Sequence, residues 1–321
     1  MSLLVLALVG TAAFLALGPD EPADPVAAPV ADPSATPLAP ASPAAPTPTP
    51  TPTTAATPAR ATLPHGGRAV FEGDRFLVAY YGTAGSGALG VLGEDRPALM
   101  HRRLVAAAAP FARPGQPVQP VYELIVTIAD ATPGPDGDYH HDIDRRAVQR
   151  YIDAAHRHGA LVLLDIQPGH ADFLTVARRW AWALRDPYVG LALDPEWRMP
   201  RGEVPGRVIG HVRAAEVNRT SAWLARLVAR HDLPQKLFVL HQFRGSMLPD
   251  LERVRARRGL VMVQHADGFG TRSEKLASYR AITRPRQFTM GWKLFYDEDV
   301  DRMGAAAVHQ VRPRVRFVSF Q

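Results

Sequence analysis

Two carboxylic acids stand at the end of the apolar run LALDPEWRM, residues 191–199: Asp194 and Glu196, separated by Pro195 and followed by Trp197. In an extended strand, residues i and i+2 share a face about 6.6 Å apart, so both acids would point the same way. Like charges held that close in a poorly solvated place do not both ionise easily. One pKa rises, leaving a proton donor beside an anion at neutral pH. Glycosidic bond cleavage requires such a pair: one carboxylic acid protonates the leaving oxygen while a carboxylate stabilises, orients or attacks the positively charged sugar centre. Glu196 is therefore the candidate general acid and Asp194 the carboxylate that assists it.

Other polar residues recur at the ends of similar runs. Tyr80 and Tyr81 end FLVAYYG, Asp165 and Gln167 end ALVLLDIQ, His241 and Gln242 lie in KLFVLHQF, and Gln264, His265 and Asp267 lie in LVMVQHAD. Lys293, Tyr296 and Asp297 fall in or just after FTMGWKLFY, and Ser319 and Gln321 close VRFVSFQ. With Trp197, whose ring could stack on a sugar as readily as pack, these are the candidate substrate-binding residues. Alternation groups Gly190, Ala192, Asp194 and Glu196 on one face, with Leu191 and Leu193 on the other. The small pair suits a crowded interior. The same pattern puts Asp165 with Gln167 and Gly291 with Lys293 facing in, and leaves open whether His241 or Gln242 does so.

Eight apolar runs from residue 76 onward alternate with helical patterns such as RRAVQRYIDAAHRHG and AEVNRTSAWLARLVARHD. That order predicts parallel βα units and, over about 250 residues, an α/β fold of the (β/α)8 TIM-barrel type, whose site is built at the carboxyl ends of the strands. The eighth run ends at Gln321, so the last outer helix is expected to be lacking, with residues 65–75 as a candidate cover. Gly85, Gly87 and Gly90 spell G-x-G-x-x-G after the first run, but Gly93 and Pro97 interrupt the helix a dinucleotide site needs. TAGSGALG is read instead as a mobile loop over the mouth, and the first helix is placed from about Asp95. Ser246 is expected to cap a helix after the fifth strand.

Asp194-Pro195-Glu196 resembles the end of the fourth-strand motif of family 18 glycoside hydrolases. The resemblance implies that the glutamate is the acid and the preceding aspartate orients the substrate's N-acetyl group. It is partial: Ala192 and Val189 stand where that family has two further aspartates, and its sixth-strand Tyr-Asp pair is echoed by His265 and Asp267. Residues 66–321 also resemble secreted actinobacterial proteins, which implies export and the barrel but no reaction. A second glycosidase arrangement pairs Glu196 with a nucleophile on the seventh strand, Asp297 or Glu298.

Two readings of other classes compete. In one, Asp194 and Glu196 form salt bridges with Arg198, Arg201 or Lys293, and the barrel binds glycans without cleaving them. In the other, His241 and His265 join Asp165, Asp194 or Glu196 around a metal; against it, the first strand has no H-x-H, HExxH is absent, and the adjacent His140 and His141 read as surface histidines. No metal or cofactor is expected. No G-x-S-x-G elbow occurs, and with no cysteine the chain has neither disulfide nor thiol chemistry.

The first 18 residues are almost wholly apolar and read as a signal peptide or membrane anchor, although no Lys or Arg precedes Arg60. Residues 19–65, with the tract PTPTPTPTT, read as a disordered Pro/Ala/Thr linker, and residues 66–321 as the barrel domain. A secreted or envelope-associated protein that reaches through a cell wall to a polysaccharide fits this order, touching membrane only through residues 1–18. All 37 Lys and Arg follow residue 59, with 27 of the 31 acids, an excess of ten positive charges. The arginines are scattered without interleaved aromatics, so no nucleic-acid partner is expected. The protein is read as a monomer.

Overall fold

The computed structural model describes residues 60–321. The expected signal or anchor, residues 1–18, and most of the expected linker lie outside the described residues. Among the described residues, no helix is long and apolar enough to cross a membrane.

Eight parallel strands close into a barrel: β1 (Phe76–Thr83), β2 (Val118–Ala129), β4 (Leu161–Ile166), β5 (Val189–Leu193), β6 (Lys236–Gln242), β7 (Leu260–Ala266), β8 (Thr289–Leu294) and β9 (Val315–Phe320), the ring sealed by β1 pairing with both β2 and β9. A short strand β3 (His140–Asp142) adds antiparallel to the end of β2. The helices are α1 (Pro97–Ala108), α2 (Arg145–His158), α3 (Phe173–Arg179), α4 (Ala181–Leu184), α5 (Ala214–Arg230), α6 (Arg272–Ile282) and α7 (Ala305–Gln310).

Local chemistry sets the ends of these elements. Pro97 occupies the first turn of α1, where its missing N–H costs nothing. Asp144 caps α2 by accepting from the backbone N–H of Arg146 and Ala147, and Thr271 with Glu274 forms a reciprocal capping box at α6. Between β6 and β7 the expected helix is replaced by two single 3-10 turns, Gly245–Met247 and Leu251–Arg253, and Ser246 caps neither. The glycine-rich loop after β1 is likewise a pair of 3-10 turns, Gly87–Leu89 and Val91–Gly93, folded back on the strand end.

The lower half of the barrel interior is apolar. Leu77, Ala79, Val121, Leu161, Leu163, Ala192, Leu237, Val239, Val263 and Phe317 fill it. Gly190 is required there, because a Cβ would lie 2.7 Å from the Leu237 carbonyl oxygen. Leu63 and Val70 join this cluster from below. Their segment is clamped to the turn before β6: Arg68 donates to the carbonyls of Ala61 and Leu233 and to the Asp232 carboxylate, and Gln235 exchanges bonds with Arg68 and Val70. Two expectations are corrected here. Residues 60–65 belong to the barrel domain and not to the linker, and residues 60–75 plug its amino-terminal end instead of covering the outer face where the last helix is lacking.

The outer face at β9 and β1 is closed differently. No α-helix follows β9 among the described residues, and Phe111, on the 3-10 turn Ala109–Phe111 after α1, fills that side. Its ring stacks on Phe76 of β1 at 5.3 Å and meets Phe320 of β9 edge-on at 6.1 Å, while its carbonyl accepts from His309 of α7. Truncating this buried ring leaves a cavity on two strands at once. Phe111→Ala is expected to cost about 3–5 kcal/mol of unfolding free energy in chemical denaturation, and a loss below about 1 kcal/mol would show that something else closes the seam.

Candidate functional site

Above the apolar layer the interior turns polar, two residues further along nearly every strand. Tyr81, Glu123, Asp165, His241, His265, Lys293 and Ser319 all lie within the barrel and are buried, with Asp194 and Asp267 just past the ends of β5 and β7. Gly291 makes the space: a Cβ there would collide with the His265 imidazole.

The centre is a chain of alternating charges. His241 Nε2 lies 3.0 Å from Glu123 Oε1 and its Nδ1 3.0 Å from Asp267 Oδ2, and Asp267 Oδ1 lies 3.0 Å from Lys293 Nζ. With a carboxylate on each side, both imidazole nitrogens donate, so His241 is a cation. Burial disfavours that charge, but Asp267 and Glu123 outweigh it and hold the His241 pKa well above the ordinary value. Burial likewise pushes Asp267 up, and Lys293 and His241 more than reverse it, leaving a carboxylate ionised far below the usual range. Glu123 is lowered by the same balance, burial being outweighed by its bond with His241. Lys293 is raised by Asp267, Glu123 and Asp194 against its burial, and its ammonium lies 3.4 Å from the centre of the Tyr81 ring.

The remaining acids meet burial with less help. Asp165 accepts from the Tyr81 hydroxyl at 2.8 Å, yet burial raises its pKa. Asp194 is raised well above the ordinary value by burial and by Asp165, Glu196 and Asp267. Glu196, half-buried at the rim, is pushed to about 7 by burial and by the negative charge of Asp267, against Lys293, His241 and Arg244. His265 goes the other way: burial holds it neutral, with a pKa of about 3, its Nε2 3.3 Å from the Ser319 hydroxyl.

Asp194, Asp165, Gln167 and Lys293, which alternation places inward, thus come together with His241, His265 and Asp267, whose strands alternation left open. Gln167 reaches the Tyr81 hydroxyl at 3.4 Å. Asp194 and Glu196 both face the mouth, but β5 stops at Leu193, and Pro195–Trp197 is a 3-10 turn in which Asp194 accepts from the Glu196 N–H. The strand spacing assumed for the two acids therefore does not apply. Trp197 is half-buried on that turn.

Other expected residues are elsewhere. Gln242 and Gln264 face the helix layer, bonded to each other at 2.7 Å and to the backbone of Ile282 and Arg284. Tyr80 also faces outward, donating to the Arg103 carbonyl, and Tyr296 stacks on Phe320 beside it, half-open to solvent. Gln321 is half-buried next to Leu89, away from the charge chain. Asp297 and Glu298 are exposed in the loop after β8 and make no ion pair among the described residues. Arg198 pairs with Glu216 instead of the mouth acids. His140, expected at the surface, is buried, with its Nε2 2.7 Å from the Arg179 guanidinium.

Sequence reasoning missed Glu123. It is the single charged residue inside VYELIVTIA, and that isolation was the available signal. Both ring nitrogens of His241 are engaged, by Glu123 and by Asp267. Among the described residues, the cluster of potential ligand atoms close enough for one ion is Asp136, Asp138 and His140, outside this site. Comparison with protein-family models gives no match, and comparison with curated proteins gives none.

Two outcomes follow. Glu123→Gln leaves His241 with one carboxylate and should lower unfolding free energy by about 3 kcal/mol or more in urea denaturation. Because Glu196 keeps its proton in the folded state while an unfolded glutamate releases it near 4.5, the native state binds more protons between about 4.5 and 7 and loses stability as pH rises through that window. Unfolding free energies measured for wild type and Glu196→Gln across that window should therefore shift steadily against the wild type; parallel curves would mean Glu196 is not perturbed.

Proposed function

We propose that the barrel cleaves glycosidic bonds, with Glu196 as the proton donor. The observation that carries this is the splitting of two carboxyl groups at one mouth: Glu196 is pushed to about 7 by burial and the charge of Asp267, while Asp267 is held ionised by Lys293 and His241. A donor poised near neutral pH beside a permanent anion is what the reaction needs. Asp267 replaces Asp297 or Glu298 as the second carboxylate of this reading.

In the proposed step the Glu196 proton passes to the leaving oxygen as the C–O bond breaks, and Asp267 faces the positive charge that develops on the sugar. Water then adds to the anomeric carbon and returns a proton to Glu196, so the cycle closes without an added reagent. Asp194, its pKa raised by burial, accepts from the Glu196 N–H and fixes the turn that carries the acid. Export, a polysaccharide substrate in the envelope or the surroundings, and kinship with family 18 through Asp194-Pro195-Glu196 belong to the same proposal.

A second reading keeps the glycan and drops the reaction. Both Asp267 oxygens are already engaged by cations, which is also what a purely structural ion chain would show. Reducing-end release from chitin, peptidoglycan and plant or microbial glucans by the full chain separates the two. Activity should fall about 10²–10⁴-fold in Glu196→Gln, and kcat/KM should decline as pH rises through about 7. Glycan binding without release by either protein would establish the non-catalytic barrel.

A further inference from the structure

Beside the mouth, at the same end of the barrel, lies a cleft of about 420 Å³, within the range of small-ligand sites. Three loops build it: the one between β2 and β3, which supplies Asp138, the one after β4, with His170, and the one after β5, with Arg198, Met199 and Arg201. Thr175 of α3 completes the wall. The stretch 198–201 runs directly on from the turn that carries Glu196.

The loops are locked together. Met199 N–H donates to the Gly169 carbonyl, His170 N–H to that of Asp138, and Arg198 is tied to Glu216 and to the carbonyls of His170 and Met199. Gly169 has a left-handed backbone, and a Cβ there would strike the Asp138 carbonyl. Tyr139 is also left-handed, at φ 58°, which is unusual for a bulky residue and places its ring 4.7 Å from that of His170. This preorganises the wall. Two polar groups on it remain uncommitted: among the described residues, neither the Asp138 carboxylate nor the Arg201 guanidinium has a side-chain partner. One accepts, the other donates, and their charges cancel.

We propose that this cleft is a binding subsite for an uncharged stretch of the glycan whose scissile bond lies at Glu196. Paired hydroxyls of a neutral sugar donate to Asp138 and accept from Arg201, whereas an acidic sugar would also meet the Asp138 carboxylate. The assignment rests on the glycan reading above, and binding tests it separately from cleavage.

The full chain carrying Glu196→Gln is titrated calorimetrically with hexasaccharides of glucose, of N-acetylglucosamine and of galacturonate. At least one neutral hexasaccharide should bind, and adding Thr175→Trp, an exposed position on the cleft wall, should raise its Kd at least tenfold, while Thr175→Ser leaves it unchanged; thermal unfolding confirms that each variant is folded. Asp138→Ala provides a second variant and should weaken binding similarly. An unchanged Kd in both Thr175→Trp and Asp138→Ala, no binding of a neutral hexasaccharide, or tighter binding of the galacturonate overturns the subsite. Binding that depends on Thr175 and Asp138 in a chain that releases no reducing ends would keep the subsite and remove the hydrolase.

Discussion

Four charges buried in a barrel can persist only if each is neutralised by the next, and the upper half of this molecule is arranged around that requirement. Glu123, His241, Asp267 and Lys293 come from four strands and alternate in sign, with 3.0 Å between successive partners. Removing any one leaves its neighbour as an uncompensated ion in a poorly solvated interior, a far larger cost than the modest net value of a satisfied pair. The chain therefore couples β2, β6, β7 and β8 in register. It also explains Gly291, whose missing side chain admits the His265 imidazole that packs against His241.

The same chain sorts the acids around it. Its two cations are consumed by Glu123 and Asp267, so Asp165, Asp194 and Glu196 are left in the burial without a full partner and have raised pKa values. Of these, Glu196 alone stands at the rim, on a turn rather than a strand, half-exposed where a ligand can reach it. An anion, acids whose pKa values burial raises and a solvent-facing donor then occupy one mouth. Stability and chemistry are set by one charge balance.

The ends of the barrel are closed with small devices. Below, Leu63 and Val70 complete the apolar layer; at the seam of β9 and β1, one phenylalanine on a turn contacts both strands. Both depend on segments that look unremarkable in isolation, ATLPHGG and AAAPFAR, since an apolar residue in a short polar stretch carries no periodic signal.

The sequence by itself determined the parallel barrel, through eight apolar runs alternating with helical patterns, and it determined that acids, histidines and one lysine gather at the strand ends. Period-two alternation was enough for β4, β5 and β8, where glycine, alanine or aspartate on one face contrasts with leucine or tryptophan on the other. It was silent for β2, β6 and β7, whose two faces are equally apolar. There only the closed barrel decided that Glu123, His241 and His265 point in while Gln242 and Gln264 bond to each other in the helix layer. Tertiary structure alone also chose the anion that partners Glu196, because a proton's affinity for a carboxylate depends on which charges stand nearby, and those charges come from residues 45 to 97 positions further along the chain.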